Sequence, residues 1–231
     1  MINIFKEVFC MQQTTKPHRI SIPKYTLCEE LMNSITHGVG ACLGIAAMIL
    51  CLIKSCVPLD GYKLASSIVF GITTILLYLM SCLYHALKVN RAKRVFRVID
   101  HCTIFLLIAG TYTPYTLITL RGLTGWLLFG IVWSVGILGI VLNAINLKRF
   151  ANLSVACYIA MGWVVLFASK QLWAALAPAG FWLLLAGGIA YTIGAGLYGI
   201  GSKKRYFHSV FHLFCLIGTA LHFFSIYFYV L

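Results

Sequence analysis

Apolar residues occupy the chain in seven long runs separated by short polar breaks. The runs cover approximately residues 35–53, 64–87, 98–120, 125–146, 152–169, 181–200 and 208–230. Each approaches the ~20 residues an α-helix needs to cross the hydrocarbon core of a bilayer. The pattern predicts an all-α fold: a polytopic membrane protein built as a seven-transmembrane helix bundle. Short breaks make sequential helices neighbours. The Gly/Ala-rich stretch GGIAYTIGAG (187–196) suits close helix packing. Pro114 predicts a kink inside the third run, with neighbours supplying a partner for the freed carbonyl. Residues 1–34 form an N-terminal tail ahead of the bundle at 35–231. Within the tail, Ile2, Phe5, Val8 and Phe9 either line a short amphipathic helix lying on the membrane or belong to a frayed end. The tail lacks the long apolar segment and cleavage site of a signal peptide.

Composition sharpens this. The chain is 61% hydrophobic and only 10% charged, against about 25% charged in a soluble domain. Mean hydropathy is +0.93. The net charge of +13 does not point to nucleic acid, because the cations sit in short loops where topology and anionic headgroups account for them. Fourteen lie on one side: Lys6, Lys16, Arg19 and Lys24 in the tail, Lys88, Arg91, Lys93, Arg94 and Arg97 in the second loop, Lys148 and Arg149 in the fourth, and Lys203, Lys204 and Arg205 in the sixth. The other side has four: Lys54, Lys63, Arg121 and Lys170. The positive-inside rule then predicts a cytosolic N-terminus and an external C-terminus in a cell (plasma or inner) membrane. The nine cysteines form no CxxC pair and read as small apolar packing residues.

Topology places the scarce polar groups. His208 and His212 open the last run, four residues apart and so on one helical face. Ser81 and His85 close the second run at the same spacing, and Asp100 stands at the entrance of the third. Glu30, Asn33 and His37 share a face at the start of the first. Four spans thus deliver these groups to one cytosol-side depth. Singly each has a bland explanation: Asp100 as a helix cap or a partner for Arg97, His85 as an interfacial imidazole, Ser81 bonded to a carbonyl one turn back. Jointly they predict a buried metal site in which His85, His208 and His212 bind Zn2+ and leave a fourth position open. Zinc would activate water at neutral pH. Asp100 is placed to accept the water's proton, to orient the water or to support the site, and Ser81 to donate to a substrate oxygen or to Asp100. Glu30, Asn33 and His37 would line the entrance or brace the ligands. His101 is expected to pack about 100° away from Asp100, His222 to be hydrogen-bonded inside the bundle, and His18 and Glu29 to be solvated.

At these residues the chain resembles the haemolysin III family, the bacterial branch related to progestin and adiponectin receptors and, more widely, to alkaline ceramidases. The resemblance rests on EELMNSITHGVG (29–40), SCLYH (81–85), RVIDHCTIFLLIAGTYTPYT (97–116) and HSVFHLF (208–214), in that order. It implies seven helices and a cytosol-side zinc bound by His85, His208 and His212, with Asp100 holding the metal-bound water and Ser81 beside it. The long cytosolic extension of the animal receptors is absent.

Three functions compete. The first is a zinc-dependent hydrolase cleaving an amide or ester bond of a membrane lipid. The second is a sensor or regulator of membrane lipid homeostasis with a structural zinc. The third is a pore-forming cytolysin or a transporter. A transporter would carry ionisable groups near mid-membrane, where only His222 qualifies. A retinal protein needs a Schiff-base lysine, and the last run has none. Membrane lipids are the expected partners; substrate and oligomeric state are left open.

Overall fold

A computed structural model describes residues 22–201 and 204–231. Every regular element among them is helical: α1 (Leu27–Ser55), α2 (Gly61–Ala86), α3 (Arg91–Pro114), a π-turn (Tyr115–Thr119), α4 (Leu123–Trp163), a 3-10 turn (Val164–Ala168), α5 (Ser169–Ala175), α6 (Pro178–Gly201) and α7 (Phe207–Tyr229). Six helical stretches are long and apolar enough to cross a membrane, the fourth running from Leu123 to Ala175. The amphipathic pattern proposed at residues 2–9, His18 and Lys203 lie outside the described residues.

Helix starts follow local chemistry. Thr26 and Glu29 form a capping box, so α1 begins at Leu27 rather than near residue 35. Asp60 caps α2 and Asn90 caps α3 through the Lys93 N–H at 2.8 Å. At Pro114 the α3 ladder loses a donor, and the chain passes directly into the π-turn.

A straight α4 would be about 61 Å long, twice the ~30 Å hydrocarbon core. It is broken at Asn146, whose φ of −158° and ψ of 87° lie outside the helical region. The chain then folds back on itself. Ser154 Oγ donates to Asn143 Oδ1 at 2.6 Å, Asn143 Nδ2 donates to the Tyr158 hydroxyl at 3.4 Å, and Gly136 faces Met161. The Asn146 side chain accepts the Arg149 N–H at 3.0 Å and so starts the second arm. The fourth and fifth apolar runs are therefore the two antiparallel arms of α4.

Neighbouring helices pack in sequence, and α7 closes the bundle by packing on both α6 and α1. Gly187 permits the α6–α7 approach: a Cβ there would lie 2.2 Å from the His222 ring. Both ends of α7 are tied to α1, and its far end to α2 as well. At its start the Tyr206 N–H donates to Glu29 Oε1 at 2.9 Å, with Tyr206 at φ 64°. At its end Lys54 and Lys63 donate to the carbonyls of Tyr227 and Leu231. Depth along α7 is thereby set relative to α1.

Candidate metal centre

The C-terminal end of α2 and the N-terminal ends of α1, α3 and α7 meet at one end of the bundle. There His85, His208 and His212 are buried, with one ring nitrogen from each inside a 4.8 Å cluster. His208 Nε2 lies 3.4 Å from His85 Nε2 and 3.1 Å from His212 Nε2.

The opposite edges of two rings are occupied. His85 Nδ1 is 2.7 Å from Glu30 Oε2, and His212 Nδ1 is 3.3 Å from the Asn33 carbonyl. Both partners accept, so both rings carry their proton on Nδ1. The Asn33 amide nitrogen also approaches His85 Nδ1, at 3.4 Å, but the shorter, charge-assisted Glu30 contact sets the tautomer. The Nε2 lone pairs of His85 and His212 then face the Nε2 of His208, which can donate a proton to only one of them; a cation among the three would satisfy all of them in this buried site. A tetrahedral zinc with Zn–N of about 2.0–2.1 Å would hold its nitrogens about 3.3–3.4 Å apart. The donor set fits that ion.

A supporting shell surrounds the three rings. Lys93 is buried and donates to Glu30 Oε1 at 2.6 Å and to the Leu87 carbonyl at 3.0 Å. Ser209 Oγ donates to Asn33 Oδ1 at 2.6 Å. Tyr25 stacks on His208 with centroids 5.0 Å apart, and His37 stacks on His212 at 3.6 Å. Glu30 and Asn33 thus brace the imidazoles. His37 is not in the 4.8 Å cluster, and neither of its nitrogens has a hydrogen-bond partner among the described residues.

Ser81 and Asp100 line the same cavity as His208 and His212, and Asp100 does not join the 4.8 Å cluster. The cavity is large, ≈ 1320 Å³, and mostly apolar. It runs from Tyr25, Asp100 and His208 to Tyr115, Leu172 and Phe181 at the far end.

Some sequence expectations need correction. Glu29, expected to be solvated, is 5% exposed and joins the α1 cap to Tyr206. Its place as the third residue of the capping box turns it inward. Asp100 is not paired with Arg97: the basic side chain beside it is His101, whose Nδ1 lies 3.6 Å from Asp100 Oδ2. His101, expected to point elsewhere, lines the cavity, with Nδ1 2.8 Å from the Arg97 carbonyl and Nε2 3.3 Å from the Tyr198 hydroxyl. His222 donates from Nε2 to the Leu184 carbonyl at 3.0 Å, inside the bundle as expected. Sequence reasoning missed Lys93 and Tyr25. In the sequence Lys93 reads as a loop charge; in the structure it is the third residue of α3, in the first turn behind the Asn90 cap.

Fold and site together define a helical integral membrane protein with three converging imidazoles at one end of a long apolar cavity. The chain belongs to the haemolysin III family. Residues 25–223 match the family described as Haemolysin-III related. Hemolysin-3 of Bacillus cereus is 44% identical over 203 residues, which cover 88% of this chain and 92% of that protein. The Hemolysin-3 homolog of Bacillus subtilis (strain 168) is 42% identical over 205 residues, covering 89% and 96%.

Proposed function

We propose that this protein is a zinc-dependent hydrolase that cleaves an amide or ester bond of a membrane lipid. The observation that carries the reading is the convergence of three Nε2 atoms at one end of an apolar cavity. His85, His208 and His212 would hold the ion. Bound there, zinc supplies Lewis acidity and lowers the pKa of water to about 7. Glu30 and the Asn33 carbonyl keep the Nδ1 protons of His85 and His212 in place, so both rings present Nε2. Asp100 serves as proton acceptor or orients the attacking water, and Ser81 donates to the acyl oxygen as negative charge grows on it. The cavity walls exclude bulk water and take the lipid's apolar part.

The same reading places seven spans in a plasma or inner membrane, N-terminus cytosolic and C-terminus outside. The fold-back at Asn146 supports counting α4 as two crossings, and the Lys/Arg asymmetry supports the orientation.

Purified protein should contain about one zinc, and replacing His208 and His212 together by Ala should abolish it; full retention in the double variant overturns the ligand assignment. Incubation with ceramides and phospholipids should yield free fatty acid, and chelator or Asp100→Asn should cut the rate at least a hundredfold. Zinc retention without turnover on a broad lipid panel would instead favour a lipid sensor with a structural metal. Leakage from liposomes holding this protein alone would favour lysis, the activity named in its relatives.

A further inference from the structure

Charged side chains inside a membrane protein are costly unless a partner satisfies them. Lys93 meets that condition through Glu30 and two carbonyls. Arg97, about one turn further along α3, does not. Its Nε is buried without a hydrogen-bond partner, and no carboxylate among the described residues lies within 4.0 Å of its guanidinium. The side chain lines the cavity.

The surroundings add to this imbalance. Lys24, Lys204 and Arg205 line the same end of the cavity, where the carboxylates are Glu29 and Asp100. Glu29 is engaged by Thr26 and the Tyr206 N–H, and Asp100 faces His101. Beyond this positive end the walls turn apolar. Along α3 the distance from Arg97 to Tyr115, both lining residues, is about 27 Å, close to the ~30 Å thickness of the hydrocarbon core. A cation-rich mouth above an apolar slot of that length matches a molecule with an oxyanion at one end and an acyl chain at the other.

We propose that Arg97 is the anion anchor of this cavity and that its ligand is an acyl lipid bearing an oxyanion, either a headgroup phosphate or a carboxylate. This rests on the lipid-hydrolase reading and narrows its substrate class from any lipid amide or ester to anionic acyl lipids. A guanidinium offers a planar fork of N–H donors that pairs with two oxygens of a phosphate or carboxylate. Arg97 fixes where the head stops and so which bond of the chain below reaches Asp100 and the imidazoles.

The test is binding to full-length protein in nanodiscs of neutral lipid. Probes are lysophosphatidate and oleate, monooleoylglycerol as the uncharged counterpart, and inorganic phosphate as competitor, each with the protein zinc-loaded and chelated. The expected result is at least tenfold tighter binding of an anionic probe than of the neutral one, in both metal states. Arg97→Gln should abolish the preference, and Arg97→Lys should keep part of it. Whichever anionic probe is preferred identifies the oxyanion. In the wild type the preference should shrink as salt rises, a readout that does not depend on any variant folding. Equal binding of charged and neutral probes, or a preference that survives Arg97→Gln, overturns the proposal. So does competition by inorganic phosphate as strong as that by lysophosphatidate, since the site would then not require a chain. A preference lost on chelation would assign the oxyanion to the metal, overturning the role of Arg97 while leaving the hydrolase reading intact.

Discussion

His85 illustrates how much a single side chain depends on those behind it. Its Nδ1 faces Glu30, and Glu30 is held by the buried Lys93 ammonium. Removing Lys93 would leave the carboxylate free to turn, and the ring with it. Lys93→Gln should therefore weaken zinc binding about 10–100-fold, the usual cost of losing a group behind a metal ligand. Lys93→Arg should restore part of the loss, which titration of apoprotein against a zinc indicator would measure. Equal affinity in wild type and Lys93→Gln would mean that Glu30 is held without it. None of this chain of contacts shows in the sequence spacing. Glu30 and Lys93 are far apart along the chain, and a lysine near a membrane boundary looks like any other topological cation.

At the scale of elements, termini do much of the positioning. The Thr26–Glu29 capping box starts α1 early enough for Glu30 and Asn33 to be helical and to face the imidazoles. Glu29 then holds the N–H of Tyr206, the residue before α7, close to His208. At the other end of the bundle Asp60 caps α2, and the N–H groups of Lys63 and Tyr62 hold its carboxyl below the ordinary aspartate range. A carboxyl whose pKa is lowered by folding stabilises the fold above its unfolded pKa and loses that contribution as pH falls through the folded value. Melting temperature should accordingly drop more steeply below about pH 4 in wild type than in Asp60→Asn, whose amide oxygen caps without titrating. Parallel pH profiles in differential scanning fluorimetry would show that this cap does not matter. The apolar runs located these helices, but a run marks only where hydrophobic residues begin. The caps lie outside it, which is why α1 starts at Leu27 and not near residue 35.

For the whole molecule, the number of crossings decides which ends of the helices share a side. An unbroken α4 would put α6 and α7 out of step with α1 to α3; after Asn146 the second arm runs back along the first, which supports the proposed count of two crossings. In intact cells, on a Cys56→Ser background, an impermeant thiol reagent should label Arg121→Cys and Lys170→Cys but not Lys148→Cys. Labelling of Lys148→Cys from outside would rule out two crossings in this helix and, with them, the seven-span topology.

Much of this arrangement was decided along the chain. Long apolar runs need bilayer or bundle around them wherever they lie, so the all-helical membrane class follows from the pattern alone. Because crossings alternate in direction, the ends carrying His85, Asp100 and His208/His212 could be assigned to one side without coordinates. What depended on tertiary structure was contact. Helical rotation and depth determine whether groups at one level touch, and these are set by close approaches such as Gly187 on His222 and by the tethers at both ends of α7. Hence the three imidazoles meet, while Asp100 and Ser81 line the cavity beside them. Lys93 and Arg97, four residues apart on one helix, differ because Glu30 from another helix reaches only the first. The second faces the cavity without a carboxylate from the described residues, since pairing across helices depends on which side chains arrive there in space.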